Sequence, residues 1–157
     1  MKAAIISPTA LLERYSSKSS LQMCLAHLWE TPGYKQYFLT RKTLGDTIIL
    51  DNGGYELRHA MDSKQLLSVA EELKPDILVV PDVLMNNRET LKRTKDFLEN
   101  EYPQFQNQTK SKLQLMAVPQ GAIQIEWLHC LKSLAQMNIK FDWWGVPKLS
   151  HLVFDGT

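Results

Sequence analysis

Four short apolar runs in this chain each end in a polar residue or a glycine, and three of them precede a segment with helical character. The runs occupy residues 47–51, 77–82, 113–121 and 141–148. Short apolar runs are typical of parallel strands that are buried on both faces of a sheet. Parallel strands need long crossover connections, usually helices, so this alternation predicts an α/β fold.

The residues at the ends of these runs are the main functional signal. In α/β folds, the groups that contact a ligand lie just beyond the carboxyl ends of the strands. Four residues occupy that position here: Asp51, Asp82, Gln120 and Gly145. We therefore predict that they converge on one site at the same edge of the sheet.

The rest of the chain supplies one more strand and the connecting helices. Residues 3–7 are predicted to form the first strand, and residues 21–29, with apolar side chains at helical spacing, a helix. The other helices are predicted to start at Asp62 or Ser63, at Asn86 or Asn87, and at residue 123. The short run at residues 37–40 fits either a strand or a helix, and the polar, glutamine-rich residues 101–112 are predicted to be a loop.

About five parallel strands fit two architectures. One is a TIM-barrel-type (β/α) unit, which at 157 residues would be incomplete, because a full barrel takes about 250 residues. The other is an open doubly wound sheet, which is complete at about this length. The sequence ends at residues 153–157 without a helix that would close the barrel. This predicts a truncated barrel or a chain completed by a second chain. We take residues 1–157 as a single partial barrel domain, with the open sheet as the alternative.

Composition narrows the class of protein. Eighteen Lys and Arg residues nearly balance 17 Asp and Glu residues, so net charge alone predicts neither nucleic-acid nor membrane binding. The two cysteines form no disulfide framework, which favours a reducing, cytoplasmic compartment, and no residues show zinc-ligand spacing. No segment resembles a signal peptide or a membrane span. We expect a cytoplasmic protein without a metal, a cofactor or a membrane partner.

The first candidate motif follows the strand at residues 47–51. Asp51 and Asn52 precede Gly53 and Gly54, and glycines allow a backbone to approach a ligand closely. Asp-Asn-Gly is also favoured turn chemistry, so a simple turn is the alternative. Tyr55 can stack on a planar ring or pack in the core.

The later strand ends carry groups that suit a purine edge. Asp82 can accept hydrogen bonds from a ring N–H and an adjacent exocyclic amine, as guanine presents them. The amide of Gln120, followed by Gly121, can donate to a carbonyl and accept from an amine. The alternatives are a helix cap or loop residue for Asp82 and simple backbone packing for Gly145. Four cations flank these ends in the sequence and are predicted to contact phosphate: Arg41, Lys42, Arg58 and Lys148.

Taken in order, these motifs resemble those of the tRNA-guanine transglycosylase superfamily, whose Asp-Ser-Gly-Gly-Phe turn, strand-end Asp, Val-Gln-Gly-Gly segment and Gly-Gly-Leu loop line a base pocket on a TIM barrel. The short phage and bacterial members that insert 7-deazaguanine bases into DNA are more similar. Residues 6–10 and Ala26-His27-Leu28 also look like that branch. The resemblance covers nearly the whole chain and implies a phage-infected or bacterial cytoplasm.

The resemblance implies a role for each matching residue. Asp51 is then the catalytic carboxylate near the ribose, Tyr55 stacks on the base, Asp82 reads its guanine edge, Gln120 reads its carbonyl and Gly145 contacts its substituent. The remaining residues of the implied substrate site are Asn52, Gly53, Gly54 and Gly121. Asn52 stands where the family has serine, Glu56 where it has glutamine, and Pro119 precedes Gln120 with one glycine after it, which puts the preferred deazaguanine in question.

The implied activity is replacement of guanine by a 7-deazaguanine such as preQ0 or preQ1 in nucleic acid, with DNA favoured over tRNA. Family members attack the sugar with an aspartate from a later strand, and no recognisable nucleophile motif or zinc-binding segment occurs in this chain. The alternative is therefore a non-catalytic remnant or partner subunit that keeps the base pocket. A flavodoxin-like binding module is a further possibility, although no phosphate-binding glycine fingerprint is present.

Overall fold

A five-stranded parallel sheet forms the centre of the fold in the computed structural model, which describes residues 3–57, 61–110 and 113–147. The strands lie in chain order and each pairs with the next. They are β1 (Leu21–Leu25), β2 (Thr47–Asp51), β3 (Ile77–Val79), β4 (Gln114–Ala117) and β5 (Trp143–Trp144). The predicted α/β class with about five parallel strands is confirmed.

Helices connect the strands. The α-helices are α1 (Leu12–Tyr15), α2 (Tyr34–Thr43), α3 (Gly54–Leu57), α4 (Ser63–Leu73), α5 (Asn87–Asp96), α6 (Tyr102–Thr109) and α7 (Gln124–Ala135). Short 3-10 turns occupy Thr9–Leu11, Ser16–Lys18 and Ala26–Leu28, and a π-helical turn, Phe97–Glu101, joins α5 to α6. None of the helices in the described ranges is long and apolar enough to cross a membrane.

The two faces of the sheet differ in what covers them. One face packs against the helices in a single large core, which includes Ile48, Leu50, Leu78, Leu66, Phe97 and Leu134. The other face carries a smaller apolar cluster of Ile49, Ile77 and Val79, with Met23 and Met116 packed beside it. Chain-order strands with helices on one face are wound as in a (β/α) barrel. Within the described residues the sheet stays open.

The first strand was predicted in the wrong place. Residues 3–7 form no strand, and β1 lies at Leu21–Leu25, where the spacing of apolar residues predicted a helix. The deciding residue is Gln22, which the structure buries. Its amide nitrogen donates to the carboxylate of Asp46, 3.0 Å away, and its oxygen accepts from the hydroxyl of Tyr37. These long-range partners satisfy a polar side chain that a short helix would have left facing the core.

The segment at residues 101–112 was predicted to be a loop, and this was wrong because most of it forms helix α6. Its two aromatic residues, Tyr102 and Phe105, are three positions apart and both buried. Tyr102 stacks on Phe97 with ring centroids 5.6 Å apart. Burial of the two rings stabilises a helix whose other positions are mostly polar.

The remaining local predictions are confirmed. Asp62 caps α4 by accepting hydrogen bonds from the backbone N–H groups of Lys64 and Gln65. Asn86 caps α5 by accepting from the N–H of Glu89. The ambiguous run at residues 37–40 lies inside α2.

Candidate functional site

A cavity of about 370 Å³ lies at the carboxyl ends of the strands, on the face opposite the helices. Seven of the predicted site residues line it: Asp51, Asn52, Gly54, Tyr55, Asp82, Gln120 and Gly145. Gly53 and Gly121 are not among its lining residues. A wider cleft of about 560 Å³ beside α2 has Glu13 as the single acid in its lining and includes none of these residues. The four strand ends therefore do meet at one edge of the sheet.

The turn after β2 is built by two consecutive side chains that bond to the backbone. Asp51 Oδ1 accepts from the N–H of Gly53 at 2.7 Å, and Asn52 Oδ1 accepts from the N–H of Gly54 at 2.8 Å. Gly53 has φ of +69°, and a Cβ there would lie 2.2 Å from Nδ1 of His27. Only glycine fits that position, because both the backbone angle and the close imidazole exclude a side chain. The turn thereby fixes Asp51 at the cavity.

Asp82 lies between two amides. Asn52 Nδ2 donates to its Oδ1 at 2.7 Å, and Gln120 Nε2 donates to its Oδ2 at 2.6 Å. All three side chains are buried, with 9% of Asp82, 1% of Asn52 and 4% of Gln120 exposed. An ionised carboxylate has about four acceptor positions, so these two amide bonds leave acceptor capacity for a ligand.

Gln120 is held in place by its neighbours in space. Its Oε1 accepts from the backbone N–H of Met85 at 3.1 Å, and its own N–H donates to Sγ of Cys130 at 3.4 Å. The next residue, Gly121, lies against α7 so closely that a Cβ would be 2.4 Å from the backbone nitrogen of Trp127. Glycine at that position lets β4 lead directly into α7, which aims Gln120 at the cavity.

Gly145 and Tyr55 also line the cavity. The N–H of Gly145 donates to the carbonyl of Ala117 at 2.8 Å, and a Cβ on it would lie 2.8 Å from Cγ2 of Val118. The packing explanation for this glycine is therefore supported, although the residue also lines the cavity. Tyr55 is 48% exposed, so it is a surface aromatic and not part of the core.

The described lining of the cavity is acidic. Its lining includes Asp51, Glu56 and Asp82 and, among the described residues, no Lys or Arg. Burial raises the pKa of Asp51 to about 6, against the hydrogen bond from Gly53 and with smaller contributions from Asp82 and Glu56. Burial also raises the pKa of Asp82, but the amides of Asn52 and Gln120 oppose that change by stabilising the charged form.

Asp51 should weaken the fold when it is ionised. Because its folded-state pKa of about 6 exceeds its ordinary value of 3.8, its contribution to stability is fully present below 3.8 and lost as the pH rises through 6. We expect Asp51→Asn to raise the free energy of unfolding at pH 8 by only about 1–2 kcal/mol, because solvent partly screens the charge of this half-buried side chain. At pH 3.5 the substitution should have little effect. Urea unfolding at both pH values measures this. An equal change at both would contradict the assignment.

Some residues of the site were missed from the sequence. Met23 and Leu25 line the cavity from β1, and they were missed because that strand was predicted to be a helix. Met116 and Val118 supply the apolar wall from the β4 side. If residues 21–25 had been predicted as a strand, Met23 would have been placed on the same face as Ile49, where the structure has it.

Arg41 and Lys42 do not flank the strand ends at the cavity, where the prediction of phosphate contacts had placed them. Arg41 Nε pairs with Asp46 at 2.6 Å and Lys42 Nζ pairs with Asp76 at 2.7 Å. Asp46 and Asp76 precede β2 and β3, so both pairs lie at the amino ends of the strands, away from the cavity. Arg58 and Lys148 lie outside the described residues.

Comparison with known proteins adds no assignment: no protein-family model and no curated protein matches this chain. Among the described residues, no group of three or more His, Cys, Asp or Glu side chains is placed to hold a metal ion. Interpretation of the site therefore depends on its own geometry and chemistry.

Proposed function

We propose that the cavity binds a guanine-type base and that the chain is a base-exchange transglycosylase domain, which replaces guanine by a 7-deazaguanine in nucleic acid. One observation carries the proposal. The carboxylate of Asp82 and the amide of Gln120 lie 2.6 Å apart at the end of neighbouring strands, in the cavity that Asp51 also lines.

The arrangement suits the edge of guanine. The acceptor capacity left on the Asp82 carboxylate suits the ring N–H and the exocyclic amine, which lie side by side and both donate. Gln120 Nε2 uses one hydrogen on Asp82 and has a second for the adjacent carbonyl of the base. The apolar side chains of Met23, Val79 and Met116 provide surface for the flat faces of a ring, and 370 Å³ is within the usual range for small-ligand sites.

Asp51 is the proposed acid–base group. A carboxyl group with a pKa of about 6 exists in both protonation states near neutral pH, so it can protonate a departing base and take a proton from an incoming one. Base exchange by double displacement also requires a carboxylate that bonds to the sugar and later releases it. We assign that attacking carboxylate to no described residue.

A second candidate function is base binding without exchange, as in a remnant or a partner subunit. The distribution of acids favours it. Of the three lining carboxylates, Asp82 is bonded to two amides, Oδ1 of Asp51 is bonded to Gly53, and Glu56 is exposed. None of them is at once buried, ionised and uncommitted, as an attacking group would be.

DNA is favoured over tRNA as the proposed polymer substrate, because the motifs are more similar to those of the DNA-modifying branch. A base inside a duplex must be rotated out of the stack to reach a cavity of this kind, whereas loop bases of tRNA are more accessible.

Calorimetry with free bases tests the binding proposal. We expect guanine, preQ0 or preQ1 to bind, and hypoxanthine, which lacks the exocyclic amine, to bind about 10-fold or more weakly, because one hydrogen bond to a charged acceptor is lost. Adenine presents a different edge and serves as the negative control. A folded sample that binds none of these bases, or binds hypoxanthine as well as guanine, would exclude a guanine-reading site.

Exchange is tested separately from binding. The protein is incubated with DNA or tRNA and a labelled free base, and label in the recovered polymer is counted. Incorporation into either polymer by this chain alone excludes the binding-only function and identifies the substrate. Binding of the base without incorporation favours that second function.

A further inference from the structure

Asn52 is the most completely bonded side chain at the cavity. Its Nδ2 donates to Oδ1 of Asp82 at 2.7 Å and to the carbonyl of Val80 at 3.1 Å, and its Oδ1 accepts from the N–H of Gly54 at 2.8 Å. The residue is 1% exposed. It therefore connects the turn after β2 to the end of β3, two segments about thirty positions apart in the chain.

An amide nitrogen has two hydrogens, and both of those on Asn52 are used by these bonds. No donor is left for a ligand, although the side chain lines the cavity. The resemblance implies that this position contacts substrate, and the hydrogen bonds indicate a different role. Asn52 acts on Asp82.

We infer that Asn52 is a positioning residue, which holds the carboxylate of Asp82 in place as a hydrogen-bond acceptor for the ligand. The inference rests on the proposed function, because the ligand is the guanine-type base. It deepens that function because a neutral donor in the turn after β2 then fixes the orientation and the charge of the acid that reads the base.

The surroundings of Asp82 make this donor important. Asp51 and Glu56 line the cavity from the β2 side, and the charge of Asp82 contributes to the raised pKa of Asp51. From α7, the thiol of Cys130 lies near Asp82, whose charge contributes to the raised pKa of that thiol. The described lining has no Lys or Arg. The amides of Asn52 and Gln120, together with a backbone hydrogen bond at Asp82 itself, stabilise its ionised form.

Asn52→Asp tests the inference because it preserves size and retains an oxygen for the N–H of Gly54, but removes both donors. At pH 7.5 it places a second carboxylate where the donor to Asp82 had been, and we expect guanine or preQ0 affinity to fall about 10- to 100-fold. At lower pH the two carboxylates share a proton, which restores a donor. Affinity should therefore recover towards pH 5, whereas the wild type should bind more weakly as Asp82 is protonated.

This reversed pH trend is the decisive measurement, because a merely structural role for Asn52 would lower affinity without reversing its pH dependence. Asn107→Asp makes the same chemical change on an exposed face of α6 and should behave as the wild type. Wild-type affinity at pH 7.5, or the wild-type pH trend, in Asn52→Asp would overturn the inference. If that variant does not fold, Asn52→Ala decides, since loss of the donor should weaken binding about 10-fold and unchanged affinity would contradict it.

Titration of the ligand-free protein separates this inference from the proposed function. Carboxyl carbon NMR should show Asp82 titrating at higher pH in Asn52→Asp than in the wild type, as part of a coupled pair. An unchanged titration overturns the role of Asn52 even if bases bind. A shifted titration without binding of any base supports the role of Asn52 and rejects the guanine-binding proposal.

Discussion

Replacement of Asp82 by asparagine is expected to weaken binding of guanine-type bases at least about 100-fold, because two hydrogen bonds to a charged acceptor are lost together. The substitution preserves shape but leaves one acceptor oxygen, whereas Asn52 and Gln120 donate to different oxygens of the carboxylate at 2.7 and 2.6 Å, so one of these two donors also loses its acceptor. The side-chain amide of the new asparagine also presents N–H groups to partners that are themselves donors. Calorimetry with guanine and preQ0 at pH 7.5 measures the loss.

Asp62→Asn is the matched control for this experiment. It makes the same chemical change at the exposed N-cap of α4, where asparagine caps as well as aspartate does. Its affinity and thermal stability should equal those of the wild type. A folded Asp82→Asn protein whose affinity stays within about threefold of the wild type would show that Asp82 does not read the base.

Asp51→Asn is expected to lower the rate of base exchange by about 10²- to 10⁴-fold, the usual contribution of a positioned acid–base group. Its effect on base affinity should be small, because the asparagine oxygen can still accept from the N–H of Gly53 and preserve the turn. The expected result is thus a loss in kcat with little change in KM. Single-turnover incorporation of labelled base, compared with calorimetry on the same sample, measures the two quantities.

Glu56→Gln separates the effect of a nearby charge from the acid–base role of Asp51 in the same turn. Glu56 is exposed and contributes to the raised pKa of Asp51 through its charge. The variant should retain exchange activity, and the acidic limb of its pH–rate profile should move to lower pH. Normal exchange by Asp51→Asn, or equal loss of binding and exchange, would exclude the acid–base role.

The parts of the fold that could be predicted from the sequence are those controlled by nearby residues. The runs that became β2 to β5 are apolar stretches with a clear end, and Asp62 and Asn86 are cap residues that bond within the next three positions. Alternation of strand and helix was enough to predict parallel pairing, and parallel pairing was enough to place Asp51, Asp82, Gln120 and Gly145 at one edge.

The wrong predictions for residues 21–25 and 101–112 have a common physical cause. Residues 21–25 have apolar side chains at helical spacing, yet they form a strand because β2 supplies backbone partners and Asp46 and Tyr37 supply partners for Gln22. Helix α6 is polar overall, and its two buried aromatic rings stabilise it through contacts with the core. In both segments, contacts between distant residues outweigh the local pattern.

The sequence by itself determined that this chain forms a parallel α/β sheet whose strand ends carry two acids, a glutamine and several glycines. Only the tertiary structure decided how those groups interact. Asp82 bonds to Asn52, 30 positions earlier, and to Gln120, 38 positions later. Periodicity reports on neighbours within a few residues, whereas such bonds depend on the register of three strands, which is set only when the whole sheet packs.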